Sequence, residues 1–430
     1  MRFHLSSLGC RLNYAEISEL ECEIVRRGHT LVDDPAQADW AIINTCTVTH
    51  VAARKSRQAI RSLSRRNPLL KVAAIGCYAE ISPHAVADLP SVAITVANSE
   101  KQGVIERILA LEGDGDGTPP NASPPPIGHH TRAFCKVQDG CDNHCSYCIV
   151  TIARGPAISR RPERVISQIQ SLVDSGYREV VLTGVNLGSY GRDRGPTATL
   201  EQDAGWSLAR LVRVVLERTT VERLRLSSLE PWDVDEALIA LWTNDRLCRH
   251  LHLPLQSGSD AVLRRMKRRQ DLAGYARAVA DLRAAVPGIA ISSDLMVGFP
   301  GETEAEHAQS LAFVQAMALT RLHVFRYSKR QGTMAAEMPC QVGPRVSARR
   351  AQQMTELGHR LARAFHRGLV GRTVDVLLED SRKREGTPTW SGLTDTYARV
   401  EVRSPEDLRN RMRRVRITSA DERGVQGELV

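Results

Sequence analysis

The sequence predicts an α/β protein in three parts: an open parallel-sheet domain, a partial (β/α) barrel and a small terminal β-barrel. Three observations lead there. Short apolar runs alternate with amphipathic stretches over residues 1–112. The same alternation resumes at 131, after a stretch rich in Gly, Pro and Asp. After about residue 367 it gives way to strand-like runs separated by turn residues. A chain of 430 residues has room for two or three such domains.

In the first part the strand candidates are 3–8, 40–44, 71–75 and 92–96, with helical candidates such as 15–27 and 52–65 between them. Strands separated by helices read as a mostly parallel sheet. Residues 113–130 contain Asp-Gly-Asp-Gly and Pro-Pro-Pro with no apolar period, and read as a linker. From 131 to 366 the candidates are 134–137, 180–182, 223–226, 250–253, 289–294 and 322–325. Six or so β/α units make a full or partial parallel barrel. From 367 to 430 the runs 374–378, 397–402 and 413–418 suit a small β-barrel.

The net charge of +9, mostly from arginine, suits a polyanionic partner, because cations on a protein displace the counterions of phosphates. An ordinary solvated surface gives the same number. Aromatic residues are only 4% of the chain, which argues against a surface built from stacking platforms. No run of 18 apolar residues is present, so no membrane span is expected. The first ten residues lack a basic-then-apolar signal pattern, so a cytoplasmic location is expected. Thiols stay reduced there, and ten cysteines then point to metal or catalysis before disulfides.

Two groups of cysteines carry that expectation. Cys141, Cys145 and Cys148 stand in Gly140-Cys-Asp-Asn-His-Cys-Ser-Tyr-Cys, just after the first strand of the barrel segment. Three soft thiolates so close together suit an iron–sulfur cluster or zinc, with His144 a possible fourth zinc ligand. Zinc sites usually bring a second Cys/His pair at short range, and none follows. Cys10, Cys46 and Cys77 are far apart in sequence, yet each follows a predicted strand of the first domain. In an open parallel sheet those strand ends share one edge, where ligands gather. Glycine before Cys10 and before Cys77 permits close backbone approach. Cys22, Cys135, Cys248 and Cys340 show no pattern and are taken as packing residues.

The spacing C-x₃-C-x₂-C with an aromatic before the last cysteine resembles the radical-SAM signature. Gly9-Cys-Arg-Leu-Asn, Asn44-Thr-Cys-Thr-Val-Thr and Gly76-Cys-Tyr-Ala-Glu resemble the amino-terminal domain of the radical-SAM methylthiotransferases. So do Leu182-Thr-Gly-Val-Asn-Leu-Gly-Ser-Tyr-Gly, Ser227-Ser-Leu-Glu-Pro, His252-Leu-Pro-Leu-Gln-Ser-Gly-Ser, Asp294-Leu-Met-Val-Gly-Phe-Pro-Gly-Glu-Thr and Phe325-Arg-Tyr-Ser-Lys-Arg. The tail resembles the TRAM domain, a small RNA-binding barrel. The likeness departs at Arg269-Gln270, where relatives commonly continue with a tyrosine.

The resemblance implies two [4Fe–4S] clusters and S-adenosyl-L-methionine (SAM). Cys141, Cys145 and Cys148 would hold the cluster that reduces SAM to a 5′-deoxyadenosyl radical. Cys10, Cys46 and Cys77 would hold the one that carries sulfur. Protein residues then position the chemistry, and the cofactors perform it. Candidates for the SAM pocket, all at predicted strand ends, are Gly184, Asn186, Ser228, Glu230, Gln256 and Ser257, with 298–302 a looser one. Two basic stretches are candidates for RNA contact: Arg54-Lys-Ser-Arg with Arg61, Arg65 and Arg66, and Arg409-Asn-Arg-Met-Arg-Arg-Val-Arg.

The implied partners are the anticodon stem-loop of tRNA, an electron donor and a sulfur source. The strings around Cys46, Ala53 and Cys77 look like the branch that acts on N6-threonylcarbamoyladenosine at tRNA position 37. The branches acting on isopentenyladenosine-37 or on a ribosomal protein side chain remain alternatives. So does a non-enzymatic RNA-binding protein with structural zinc.

Overall fold

The structure, a computed structural model, describes residues 1–113, 131–193, 205–382 and 387–430. All but the first residue of the expected linker therefore lies outside the described residues.

Strands β1 (Arg2–Ser7), β2 (Thr30–Leu31), β3 (Trp40–Thr45), β4 (Lys71–Gly76) and β5 (Val92–Thr95) form a parallel sheet in the order β2-β1-β3-β4-β5. All six residues of β3 are buried, as in a parallel strand covered on both faces. Phe3, Trp40, Ile42, Ala73 and Ile75 pack on one side against Ile17, Leu20 and Ile24 of helix α1 (Arg11–Arg26). Ala41, Ile43, Val72 and Ala74 pack on the other against Ala53, Ile60 and Leu63 of helix α2 (His50–Arg66). The Thr49 hydroxyl starts α2 by accepting a hydrogen bond from the Ala52 amide, 3.1 Å. Helix α1 begins at Arg11, four residues before the expected start. Buried Asn13 sits in its first turn and breaks the apolar period there.

Strand β6 (Arg132–Lys136) opens the second part, followed by a two-stranded ribbon of β7 (Gln138–Asp139) and β8 (Ile158–Ser159). Then come β9 (Glu179–Thr183), β10 (Arg223–Leu226), β11 (His250–His252), β12 (Ala290–Val297) and β13 (Arg321–Arg326). They pair in parallel as β6-β9-β10 and β11-β12-β13. Bridges from Leu224 to Leu247 and from Ser228 to His252 join the two arcs. The expected partial barrel is thus a six-stranded arc with β6 and β13 at its open edges. Leu182, Leu224, Leu226, Leu251, Leu253, Leu295 and Val297 point outward into the main core under the helices. By the pleat, alternate residues such as Lys136, Arg225, His252 and Asp294 face inward. The interior is polar, unlike the filled core of a complete (β/α)₈ barrel.

The helix Pro344–Arg367 packs on β13 and leads to a closed barrel, β14-β15-β16-β18-β17. Its strands are β14 (Thr373–Arg382), β15 (Thr389–Thr394), β16 (Arg399–Arg403), β17 (Arg411–Ala420) and β18 (Val425–Leu429). β15 and β18 were not expected. They are short and polar, and only closure of the barrel explains them.

This barrel docks on the floor of the arc, at the strands' N-terminal ends. Arg223 donates to the Leu393 carbonyl (3.1 Å), and Arg225 to those of Thr394 (3.0 Å) and Asp395 (2.8 Å). Glu179 pairs with Arg225 at 2.7 Å. Burial would raise its carboxyl, but Arg225 and Arg223 outweigh that and hold it at about 2. Among the described residues no helix is long and apolar enough to cross a membrane.

Candidate functional site

The contiguous cysteine group sits on the loop that follows β7. Gly140 turns the chain at φ +67°, and a Cβ there would lie 1.7 Å from the Pro156 carbonyl oxygen, so only glycine fits. The Ser146 amide donates to the Met266 carbonyl (2.9 Å) and its hydroxyl to that of Arg265 (2.8 Å), which ties the loop to the segment after the helix Asp260–Arg265. The Asn143 and Val150 amides point at the sulfurs of Cys141 and Cys148, each at 3.4 Å. Burial pushes the Cys148 thiol up to about 12, with Cys145 and Cys141 adding to it. Three thiols that oppose one another's ionisation become thiolates when a cation takes the place of their protons.

The second group is assembled by the sheet. Strands β1, β3 and β4 are neighbours and end on one edge. Cys46 follows β3 directly, and Cys77 is the first residue of helix α3 (Cys77–Ile81) after β4. Cys10 caps α1 three residues beyond β1. Gly9 has φ +103°, and a Cβ there would sit 2.8 Å from the Cys46 sulfur. Burial, with Cys10 and Cys77 adding to it, raises the Cys46 thiol to about 11, so the three sulfurs share one electrostatic neighbourhood.

This cysteine edge spans the opening of the arc. On the β6 side, Glu16 of α1 receives Lys136 and Arg154, each at 3.0 Å, together with Lys101 and, on its other oxygen, Asn44 at 2.9 Å. Asp139 answers the same cations, with Arg154 at 2.9 Å and Lys136 at 3.0 Å. Burial opposes the charge of Glu16, but Arg154, Lys136 and Lys101 hold its carboxyl well below the usual range. On the β13 side, Arg330 donates to the Thr47 hydroxyl at 2.6 Å, and the Ser328 hydroxyl accepts from the His50 amide at 3.1 Å. The sheet's cysteine-bearing edge is therefore clamped to both open edges of the arc.

The residues present fit an anionic sulfur-bound group. Arg330 is nearly buried beside Cys46, has no acidic partner among the described residues, and its Nε has no hydrogen-bond partner. Arg154, from the helix just after Cys148, reaches across to Asn13 (2.7 Å), whose side-chain oxygen also meets the Cys10 sulfur at 3.5 Å. Three thiols with a buried guanidinium on either side are a donor set for a soft, negatively charged metal group. Among the described residues no three Cys, His, Asp or Glu side chains close to the size of a single-ion cage.

The SAM-pocket candidates divide. Arg268 pairs with Glu230 through both terminal nitrogens, Nη1 at 3.0 Å, and the same Nη1 lies 3.7 Å from the Cys145 sulfur. Asn186 leaves its buried side-chain oxygen without a partner, while its amide donates to Gln138 at 2.9 Å. A Cβ at Gly184 would meet the same Gln138 side chain at 2.9 Å. Gln256 adopts φ +71° at the end of the arc, and Ser228 bridges β10 to β11 through its backbone. Ser257 is turned away, its hydroxyl 3.3 Å from that of Ser310 on an outer helix. Glu302 is also engaged elsewhere, buried against Arg350 at 2.8 Å. A cleft of roughly 320 Å³ beside Cys145 is lined by His144, Trp232, Lys267 and Arg269. At the departure point Arg269 lies over the Trp232 ring, 5.5 Å from its centre.

Sequence reading missed Asn13, Glu16, Lys101, Lys136, Arg154, Arg268 and Arg330. Asn13 and Arg330 lay inside the quoted strings. The others gave no local signal, because their partners are far away in sequence. Cys340 corrects the packing assignment: it is exposed, with φ +57°, and Cys22 is only half-buried, whereas Cys135 and Cys248 are core. Of the basic stretches, Arg54, Lys55, Arg61 and Arg65 are exposed on α2, while Arg57 donates to Tyr78 (3.0 Å) and Arg66 pairs with Asp34 (3.0 Å). On the terminal barrel Arg409, Arg411, Arg414 and Arg416 are exposed.

Residues 135–314 match the Radical SAM superfamily, and residues 2–97 match the Uncharacterized protein family UPF0004. The chain is 35% identical to the threonylcarbamoyladenosine tRNA methylthiotransferase MtaB of Bacillus subtilis, over all of this chain and 96% of that protein. It is 31% identical to a tRNA-2-methylthio-N(6)-dimethylallyladenosine synthase of Thermoanaerobacter, over all of this chain and 92% of the other. Its fold resembles the radical S-adenosylmethionine methyltransferase TsrM from Kitasatospora setae, with TM-score 0.56 at 14% identity, covering 75% of this chain and 72% of that one.

Proposed function

Because the chain belongs to the radical-SAM tRNA methylthiotransferases, we propose that its substrate is N6-threonylcarbamoyladenosine at tRNA position 37, which it converts to the 2-methylthio derivative. The observation that carries this reading is the clamping of one cysteine edge over the mouth that holds the other, in a chain that matches a threonylcarbamoyladenosine tRNA methylthiotransferase over 96% of that protein. Cys141, Cys145 and Cys148 would hold a [4Fe–4S] cluster that leaves an iron free for SAM. Cys10, Cys46 and Cys77 would hold the second cluster. The chemistry these groups supply when bound is one-electron cleavage of SAM and delivery of sulfur, which no side chain can perform.

The chain's own residues bind, orient and balance charge. Arg268 and Glu230 brace the loop of Cys145. Arg154 and Arg330 offset the negative charge of the other three thiolates. Glu16 with its three cations fixes the sheet on the arc, so that a base held inside is shielded from water. In this reading residues 1–112 carry the auxiliary cluster, 131–366 the SAM site and 367–430 a TRAM-like RNA-binding barrel, working on cytoplasmic tRNA. Position 37 lies in a loop, so its base can turn into a cavity at modest cost. Gly184, Asn186, Ser228 and Gln256 remain the SAM-pocket candidates, and Ser257 supports the strand end behind them.

Relatives named as dimethylallyladenosine synthases match at 31–33% identity, which keeps the isopentenyl substrate as the second reading. Nucleoside mass spectrometry of tRNA from cells with and without the gene separates the two. Loss of the 2-methylthio mark from threonylcarbamoyladenosine is the expected result. Loss only from isopentenyladenosine would sink the proposal.

A further inference from the structure

The inside of the arc contains two guanidinium groups that no carboxylate answers among the described residues. Leu322 and Val324 of β13 pack outward against the core, so Arg321, His323 and Phe325 face the interior. Across the strands the register sets Arg321 beside Ser292 and His252, and His323 beside Asp294. Phe325, on this open edge strand, is 44% exposed. Arg321 is exposed and has no side-chain partner among the described residues.

Arg11 approaches the same floor from α1. Its Nη2 donates to the Tyr397 hydroxyl at 2.9 Å, and its guanidinium lies 5.3 Å from that ring's centre. Its other charged neighbours are Arg132 and Arg225, and each of these already has an acid: Glu379 at 2.6 Å and Glu179 at 2.7 Å. Arg11 has none among the described residues.

The Asp294 carboxylate also faces this space, and it is engaged by the His252 ring at 3.2 Å. His323, 5.5 Å from His252 ring to ring, is held neutral: burial and His252 bring it down to about 4. Arg11 and Arg321 both lie within electrostatic reach of His323 and of His250. The floor is thus net positive, and Phe325 lies on the same face of β13 as Arg321 and His323.

We propose that Arg321 and Arg11 form a subsite for the carboxylate of the threonylcarbamoyl arm, with Phe325 lying against the purine. The inference rests on the substrate reading above and adds to it the residues that would select that substrate. A carboxylate that accepts charge-assisted hydrogen bonds from one or both guanidinium groups satisfies cations that the protein leaves unsatisfied. An isopentenyl arm has no charge and no hydrogen-bonding atom, and would leave them unanswered in a partly closed cavity. The same floor therefore attracts one modified adenosine and penalises the other.

The test uses the full-length, cluster-reconstituted protein and three synthetic anticodon stem-loops. One carries threonylcarbamoyladenosine, one carries the same nucleoside with its carboxylate as the primary amide, and one carries isopentenyladenosine. The wild-type protein is expected to show kcat/KM about 10- to 100-fold higher on the carboxylate than on the amide, the scale of one or two hydrogen bonds to a charged group. Arg321→Gln should lower turnover of the carboxylate substrate more than that of the amide, so that the ratio of the two falls toward one. Arg321→Lys should recover part of the preference. Arg321 is exposed, so thermal melting should match wild type. A wild-type enzyme that turns over threonylcarbamoyladenosine yet treats the amide equally would overturn this inference alone. Preference retained in Arg321→Gln and in Arg11→Gln would do the same. Turnover of the isopentenyl stem-loop only would overturn the substrate reading, and this inference with it.

Discussion

The two cysteine triads reach similar arrangements by opposite routes. Cys141, Cys145 and Cys148 lie within eight residues, and a single loop pinned at Gly140 and Ser146 holds them. Cys10, Cys46 and Cys77 span 68 positions, and three neighbouring parallel strands bring them together. A loop triad depends on local turns. A strand-end triad depends on the sheet's register and on everything that keeps the sheet docked. The second should therefore be the easier one to damage from a distance.

The largest expected effect comes from removing each triad. Cys141→Ala with Cys145→Ala and Cys148→Ala should abolish 5′-deoxyadenosine formation and remove about half of roughly eight irons. The corresponding change of Cys10, Cys46 and Cys77 should remove the other half, leave 5′-deoxyadenosine formation and abolish the thiolated base. Iron, sulfide and nucleoside analysis measure this. Bound zinc without sulfide would contradict both assignments.

Docking of the strand-end triad is the next place to probe. Glu16→Ala would leave Lys101, Lys136 and Arg154 sharing Asp139 alone. Uncovering buried cations in this way costs about 3–5 kcal/mol. The loss should appear as a lower melting temperature and as faster amide exchange in 11–20 and 136–154, with the loop of Cys145 less affected. The pH dependence has a definite sign. The folded-state pKa of Glu16 is depressed, so its contribution is present above the ordinary glutamate value and is lost only as pH falls well below it. An interface that loosens between pH 7 and 5 would contradict this.

Glycine substitutions sharpen the contrast further. Gly9→Ala sets a side chain at positive φ against Cys46, and Gly140→Ala sets one against the Pro156 carbonyl. Each costs of order 1–3 kcal/mol locally. Gly9→Ala should reduce iron in the strand-end triad only, and Gly140→Ala in the loop triad only. Equal loss from both triads in either variant would show that they fold as one unit.

The smallest effect belongs to RNA binding. Arg411→Gln with Arg414→Gln should weaken tRNA binding evenly across sequences and reduce the slope of affinity against salt by up to about two, one per lost phosphate contact. These substitutions are cleaner than truncation near Leu369, because the barrel also covers Arg223 and Arg225 on the floor of the arc. An unchanged salt slope would return the arginines to an ordinary solvated surface.

Sequence alone determined the strand–helix rhythm, the contiguous triad and the placement of three more cysteines at strand ends, because periodicity and spacing are local properties. It also carried the family likeness in its short strings. Tertiary structure decided the rest. Strands β15 and β18 exist because a barrel must close, although neither has a strong apolar pattern. Glu16, Lys101, Lys136 and Arg154 look like solvated charges in the sequence, and become a buried clamp because α1 lies against β6. Arg11 and Arg321 are 310 positions apart, and only the meeting of α1 with the open arc brings both to one floor. A charge's worth depends on what faces it, and for these residues what faces them comes from distant parts of the chain.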